Sequence, residues 1–294
     1  MKSIFSYLLF ISLIIFTASC SDIKNDIVSD QEVSVHKSGI EDPASPNFHS
    51  QIFATINWDL NECKQCHGAN YAGGVTGKGC NTCHTQPAGP EACNTCHGDF
   101  ADPNMISPPN DLSGNSVTTA KGVGAHAIHL YDAAIAPTVL CFDCHIVVTG
   151  SEGFVALHTD GSPAEVELTG SAVSTISEPN YSYANLTCQN TYCHGNFEFL
   201  KSESTNSWIY TADKMTGSNY SPIWNVVDGT QAACGTCHGS IDSSGTLVTA
   251  LPDGHSGSGA ITGCVSCHPG VVDATGKIVD ATKHINGMKN VFGN

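Results

Sequence analysis

Residues 80–97 read CNTCHTQPAGPEACNTCH, so one five-residue unit, Cys-x-x-Cys-His, is written twice within eighteen positions. The same unit recurs at residues 63–67, 141–145, 234–238 and 264–268, and a wider form, CQNTYCH, lies at 188–194. These seven units use fourteen of the fifteen cysteines, and a histidine follows every pair. The repeated unit decides the fold class, because a single chemistry must account for all seven copies.

Three chemistries use paired cysteines. Exported chains place even numbers of cysteines in disulfides, but a disulfide gives no reason for a histidine after every second cysteine. Zinc sites combine two Cys-x-x-Cys pairs into one centre, and seven pairs is an odd number. Attachment of haem c explains every letter, since two sulfurs bind the porphyrin edge and the adjacent histidine binds iron. The sequence therefore predicts seven covalently bound haems, each with its iron.

The spacing of the narrow units suits this attachment. Residues i and i+3 lie on one side of a helical turn, so two thioethers reach the same porphyrin edge together. In the wide unit, a helix would place Cys188 and Cys193 on different faces, because five positions turn a helix by about 500°. We therefore expect this unit to leave the helix and form a loop.

The predicted haem-binding residues fall into two sets. The covalent attachment residues are Cys63, Cys66, Cys80, Cys83, Cys93, Cys96, Cys141, Cys144, Cys188, Cys193, Cys234, Cys237, Cys264 and Cys267. The predicted proximal iron ligands are His67, His84, His97, His145, His194, His238 and His268.

Fourteen histidines occur in the chain, so seven remain for the other face of each iron. These candidate distal ligands are His36, His49, His126, His129, His158, His255 and His284. In GAHAIHL, His126 and His129 are three apart, so one helical turn could offer both rings to two neighbouring haems. Methionine is the alternative axial ligand, and the three methionines beyond the leader are better explained as packing residues. Their positions are Met105, Met215 and Met288.

The first residues predict export and a lipid anchor. Lys2 precedes an apolar run that is too short to span a bilayer, which indicates a signal peptide over residues 1–19. Thr17-Ala18-Ser19-Cys20 resembles a lipobox, so we expect lipidation of Cys20 and a membrane tether rather than a span. The predicted location is the bacterial envelope, on the outer membrane, facing either the periplasm or the cell surface.

Charge and composition narrow the function classes. The net charge is −16, and all eleven basic residues are lysines, so we do not expect the protein to bind nucleic acid. Only 7% of residues are aromatic, and there are 29 glycines and 13 prolines, so a side-chain core of ordinary size is not expected. We expect porphyrins to fill most of the apolar interior.

The predicted fold is a multihaem cytochrome c, mostly irregular loops, with short α-helices at the haem sites and a minor β-hairpin. The hairpin is expected in the cysteine-free stretch 146–187, from β-like runs such as AEVELTG. After the leader, a polar tether covers residues 20–35, an N-terminal cluster of three haem motifs covers 36–125, and four further motifs lie in 126–294. Only eight residues separate His84 from Cys93, so two haems must be near neighbours, at most ~30 Å apart.

The motifs resemble a known family. The stretches CKQCHGANYAGGVTGKGCNTCH, GAHAIHL, CQNTYCHGNF and HINGM are similar to the CxxxxCH/CxxCH-domain multihaem c-type cytochromes of metal-reducing bacteria. The resemblance implies an exported, often lipid-anchored protein that carries electrons across or outside the envelope. It also implies that the spare histidines, including His36 and His49, are distal ligands.

Three functions compete. The first is an electron carrier without enzymatic activity, which exchanges electrons with other cytochromes or with a porin-like conduit. The second is a multihaem reductase of a small oxyanion, which would need one iron with an open face. None of the seven motifs has the lysine-for-histidine change that often accompanies such an iron. The third is a subunit of a haem-stacked filament, against which a lipid anchor argues.

Overall fold

The computed structural model describes residues 35–56, 58–102, 104–107, 111, 113–146 and 164–293. The chain divides into two compact units between Thr55 and Ile56. The predicted division of the haem motifs at residue 125 is a different grouping and stays a prediction. The predicted signal peptide and Cys20 lie outside the described residues, as does His158.

The helices of the described residues are short. The α-helices are α1 (Ser50–Phe53), α2 (Asn61–His67), α3 (Cys93–Cys96) and α4 (His126–Tyr131). The 3-10 helices are Ala54–Ile56, Gly74–Thr76, Cys80–Thr82, Gly89–Glu91, Cys141–Asp143, Gly170–Ala172, Tyr192–His194, Lys201–Glu203, Ser207–Ile209, Thr230–Ala232, Ile261–Ser266 and Ala281–Lys283. No helix in the described ranges is long and apolar enough to cross a membrane.

The strands form three separate antiparallel pairs. They are β1 (Asn180–Ser182) with β2 (Thr187–Gln189), β3 (Glu198–Leu200) with β4 (Lys214–Thr216), and β5 (Ser240–Ile241) with β6 (Leu247–Thr249). Each pair is only two or three residues long and stands alone, so none forms a sheet with its own core. Short helices, small strand pairs and irregular loops agree with the predicted architecture.

The position of the predicted hairpin was partly wrong. The run AEVELTG, residues 164–170, forms no strand, and the first strand pair among the described residues is β1 with β2, further along the chain. The polar backbone groups of the run bond to the motif at 141–145 instead. Glu167 N–H donates to Cys144 O at 3.0 Å, and Thr169 N–H donates to Asp143 O at 2.8 Å. Tertiary hydrogen bonds to the motif therefore override the β-propensity of this run.

Side chains alone build little interior. In the described part of the chain, the buried hydrophobic residues are small or scattered, and no side chain falls below 2% exposure. The buried hydrophobic residues are Leu60, Tyr71, Val123, Ala125, Ala172, Tyr210, Met215, Ala250 and Val271. Large apolar side chains are meanwhile exposed next to a motif, as at Leu140 and Phe142, which are both 54% exposed. The protein chain by itself thus leaves apolar surface uncovered where the motifs lie.

Candidate haem centres

Five of the six narrow motifs begin with a helical turn. They lie in α2, in α3 and in the 3-10 helices Cys80–Thr82, Cys141–Asp143 and Ile261–Ser266. The motif histidine closes the turn in His84, His97, His145 and His268, where its N–H donates to the carbonyl of the first cysteine at 2.8 to 3.1 Å. This i to i−4 bond brings the two cysteines to one side of the turn, as the spacing predicts.

The sixth narrow motif, CGTCH at 234–238, has a different backbone. Gly235 has φ +92°, a conformation that L side chains rarely adopt, so the helical turn is interrupted. A Cβ at this position would lie 2.7 Å from Leu247 Cδ1 on β6. The glycine therefore allows β6 to approach the motif closely, at the cost of the regular turn.

The wide motif is not one continuous helix, as predicted, but its two cysteines lie in regular elements and only the residues between them form a turn. Cys188 lies on β2, opposite Tyr181 on β1. The chain then turns at Asn190, which has φ +57°, and Cys193 follows within the 3-10 helix Tyr192–His194. The two additional residues of this motif are used in the turn between a strand and a helical segment.

Most of the candidate ligands have a fixed tautomer. Nδ1 lies within hydrogen-bonding distance of a backbone carbonyl, a group that only accepts, so Nδ1 carries the proton and Nε2 is left to bind a metal. Among proximal candidates, the pairs are His67 with Lys78 O, His145 with Glu165 O, His238 with Ala250 O and His268 with Asn290 O, all at 2.7 Å. Among distal candidates, they are His49 with Ile40 O, His126 with Val123 O, His129 with Ala125 O, His255 with Ser256 O and His284 with Ile135 O, at 2.6 to 3.1 Å.

Four proximal candidates each face one distal candidate across a similar gap. The ring centres are 6.1 Å apart for His126 and His145, 6.2 Å for His129 and His194, 6.2 Å for His238 and His284, and 6.5 Å for His255 and His268. Two metal–imidazole bonds of roughly 2 Å, with about 1 Å from each nitrogen to its ring centre, require a separation of roughly 6 Å. Each gap therefore accommodates one metal ion between two imidazoles.

A metal in such a gap needs further ligands that the protein does not supply. In the residues that the structure covers, no three histidine, cysteine or acidic side chains converge on a common point. Two imidazoles without a third ligand from the protein suit a metal whose other four ligands are the nitrogens of a porphyrin. The residues present therefore fit haem.

The electrostatics of the paired rings suit metal binding. Burial lowers the pKa of His126 and of His194 to about 4, and it lowers the pKa of His238, His255 and His284 as well. All five rings are consequently neutral near pH 7, which is the form that binds a metal.

His194 differs from the other paired rings in one respect. Its Nδ1 is buried and has no hydrogen-bond partner among the described residues. A carbonyl acceptor at Nδ1 raises the basicity of a ligating imidazole. The imidazole of His194 is therefore a weaker electron-pair donor to a metal than that of His145, His238 or His268.

The helix α4 offers its two histidines to two different motifs. His126 faces the motif at 141–145, and His129 faces the wide motif at 188–194. The predicted helical turn over HAIH is thus confirmed, and its histidines reach two separate motifs.

Trp224 packs against the rings of both of these histidines. Its ring centre is 4.7 Å from that of His126 in an edge-on contact and 5.9 Å from that of His129 in a stacked contact. Its Nε1–H donates to Lys121 O at 2.8 Å, which fixes the indole against the segment that precedes α4.

The remaining candidates are placed individually. His36 and His49 lie in the first compact unit, where the His49 ring packs 4.2 Å from Phe48. His67, His84 and His97 lie in the second unit, where His84 contacts Phe100 edge-on, with ring centres 5.1 Å apart. The combination of these three proximal histidines with His36, His49 and His158 stays a prediction.

Comparison with known proteins supports the assignment of the motifs. Residues 187–238 match a family model described as the Geobacter CxxxxCH...CXXCH motif. This segment contains the wide motif at 188–194 and the narrow motif at 234–238. Comparisons with curated proteins and with solved structures give no significant match. The match supports a CxxxxCH/CxxCH domain of the multihaem cytochrome type over residues 187–238, and the two motifs in this segment indicate covalent binding of c-type haem.

Proposed function

We propose that this protein is a seven-haem electron-transfer cytochrome, tethered by a lipid at Cys20 to the bacterial envelope. The observation that carries the proposal is the set of four imidazole pairs, each with the separation that one bound iron requires. The three remaining motifs repeat the same attachment residues, and three candidate distal histidines remain for them.

Two imidazoles on one iron favour electron transfer over catalysis. Bound haem supplies a reversible one-electron iron couple, whose potential depends on its axial ligands and surroundings. In the four paired sites the two imidazoles would both hold the iron, so no position would be left for a substrate oxygen. The chain's own contribution is to hold the two rings at a fixed distance, with Nδ1 bonded to a carbonyl in all but His194.

The fold supports short distances between neighbouring haems. The motifs at 141–145 and 188–194 take their distal candidates from the same helix, α4. The motifs at 188–194 and 234–238 flank one short segment, because Tyr220 N–H donates to His194 O at 2.9 Å and Ser218 N–H donates to Cys237 O at 2.9 Å. The three successive motifs at 141–145, 188–194 and 234–238 are thus also neighbours in space, which a continuous electron path requires.

Haem would also complete the interior. The scarcity of buried side chains and the exposure of Leu140 and Phe142 beside a motif are explained if porphyrin faces cover this surface. Burial of apolar surface contributes about 25 cal/mol per Å², so several porphyrins would supply much of the stabilisation that a side-chain core normally gives.

The proposed partners are other cytochromes or a porin-like conduit, reached from a tethered position on the outer membrane. The net charge of −16 favours partners with a basic docking surface. Electron carriers of this kind dock transiently, and their interfaces are among the smallest that proteins form.

The test is to express the full chain in a host that matures c-type cytochromes and to count its haems. A pyridine haemochrome assay combined with intact mass should give seven covalent haems per chain, and the ferric EPR spectrum should be low-spin. Colourless protein with zinc or disulfides on the cysteines would refute the haem assignment. A strong high-spin signal that responds to nitrite or another small oxyanion would instead favour a reductase.

A further inference from the structure

The last two motifs are followed by segments of the same design. After the motif at 234–238, the chain makes a turn at DSSGT, residues 242–246, and reaches His255. After the motif at 264–268, it makes a turn at DATGK, residues 273–277, and reaches His284. In both turns the aspartate N–H donates to the carbonyl four residues on, at 2.9 Å. Each motif is thus followed by one tight turn and one histidine.

The histidines do not return to the motifs that precede them. His255, from the segment after the first of these motifs, faces His268 of the second, with ring centres 6.5 Å apart. His284, from the segment after the second motif, faces His238 of the first, at 6.2 Å. The two segments have therefore exchanged their histidines.

We propose that the last two haems form an interlocked pair, in which each haem is attached by one motif and capped by the histidine that follows the other motif. This inference rests on the proposed haem function and specifies its ligand sets. It differs from the simpler arrangement, in which each motif and the histidine after it would serve one haem.

Backbone contacts hold both exchanged histidines in place. The segment of His255 is fixed by bonds on both sides of it, because Thr211 N–H donates to Gly254 O at 2.9 Å and Ser256 N–H donates to Ile209 O at 2.8 Å. His284 is held by a contact from far along the chain, since its Nδ1 lies 2.7 Å from Ile135 O. The exchange is therefore built into the fold of the polypeptide and does not depend on the cofactor alone.

The arrangement links the two haems through the chain, because the segment after each motif presents the histidine of the other haem. Since backbone bonds hold both histidines, we expect the haem that remains to keep its capping histidine when the other attachment site is removed.

The experiment opens one iron at a time and asks which haem it belongs to. His255→Ala and His284→Ala are each made in the full chain and in two backgrounds that lack one attachment site. One background is Cys234→Ala/Cys237→Ala, and the other is Cys264→Ala/Cys267→Ala. The haem count of each protein is checked by pyridine haemochrome and mass, and the high-spin ferric EPR signal is compared with that of its own parent.

With crossed ligands, His255→Ala converts one haem per chain to high spin. This added high-spin signal is lost in the Cys264→Ala/Cys267→Ala background and kept in the Cys234→Ala/Cys237→Ala background. His284→Ala gives the opposite pattern. If His255→Ala instead loses its added signal in the Cys234→Ala/Cys237→Ala background, the crossing is refuted while the haem function stands. If neither the His255→Ala chain nor the His284→Ala chain carries covalent haem, the proposed function itself fails.

A second substitution keeps the test decisive if an alanine variant folds poorly. His255→Met retains six ligands and replaces nitrogen with sulfur, which raises the potential of the affected haem. The raised couple should be absent from the Cys264→Ala/Cys267→Ala background. Its presence there and absence from the Cys234→Ala/Cys237→Ala background would overturn the crossed assignment.

Discussion

Gly124→Ala should destabilise the region that presents two distal histidines. Gly124 has φ +45°, and a Cβ at this position would lie 2.0 Å from Trp224 Nε1 and 2.3 Å from Trp224 Cε2. The indole cannot retreat freely, because its Nε1–H is bonded to Lys121 O at 2.8 Å and its ring contacts His126 and His129. The added methyl group must therefore displace the tryptophan, the backbone or both.

Three costs contribute to the expected effect. A left-handed alanine costs roughly 1–2 kcal/mol relative to glycine, overpacking costs roughly 1–3 kcal/mol, and the lost indole hydrogen bond costs about 1 kcal/mol. The sum, about 3–6 kcal/mol, is a large part of the 5–15 kcal/mol by which domains are typically stable. Gly245→Ala is a matched control, since Gly245 has φ +80° and nothing within 4 Å of its Cβ position. The control should therefore show only the first cost, about 1–2 kcal/mol.

The assay is guanidinium unfolding of the holoprotein, followed by circular dichroism and by the Soret band, with haem counts matched between variants. Gly124→Ala should lower the apparent free energy of unfolding by about 2–4 kcal/mol more than Gly245→Ala, which is the overpacking and hydrogen-bond share. Its EPR spectrum should also change, because Trp224 holds two axial rings. Equal destabilisation of the two variants, with unchanged EPR spectra, would refute this account of the Gly124–Trp224 contact.

Four further predictions concern the paired rings and the interior. The interplanar angles of the pairs are 24° and 37° in two cases and 71° and 75° in the others, so EPR should resolve two classes of low-spin ferric haem, and one uniform signal would contradict these geometries. Trp224→Leu should alter both classes, since the indole contacts one ring of a near-parallel pair and one of a near-perpendicular pair, whereas Trp208→Leu, at a residue 67% exposed, should leave the spectrum unchanged. The haem of the wide motif should have a higher reduction potential than the haem of the motif at 141–145, because Nδ1 of His194 has no acceptor. Redox titrations of two variants, each lacking one of these two haems, identify the two potentials. The opposite order of potentials would contradict the reasoning. Finally, the chain made without haem attachment should show no cooperative transition in calorimetry, and a sharp melt of the apoprotein would contradict a haem-dependent fold.

The sequence was sufficient for the motifs and for the helix over HAIH, because both depend on spacing within a few residues. It was insufficient for the strands, since β1 to β6 are two or three residues long and show no measurable periodicity. It was misleading for AEVELTG, whose backbone groups bond to the motif at 141–145 instead of to another strand. Local pattern therefore predicts the helix over HAIH well and the connecting structure poorly.

The ligand pairs could not be predicted, because each joins positions that local spacing does not relate. The shortest pair, His255 with His268, spans 13 residues, and the longest, His129 with His194, spans 65. Which histidine faces which motif is decided by distant backbone contacts, such as that of His284 with Ile135 O. The sequence supplies the candidate histidines, and only the fold shows which of them lie near each other.

The separations of the paired histidines along the sequence also bear on the stability of a chain with so few buried side chains. Once iron joins a pair, the chain between the two histidines becomes a closed loop, as it does between two cysteines of a disulfide. For loops of 13 to 65 residues, the chain-entropy estimate is about 3–4 kcal/mol per link. The four loops overlap along the chain, because residues 255–268 lie within 238–284 and the loops 126–145 and 129–194 share residues 129–145, so their contributions do not add in full. In the proposed cytochrome, the bonds from iron to histidine would supply part of the stability that a hydrophobic core gives to other domains.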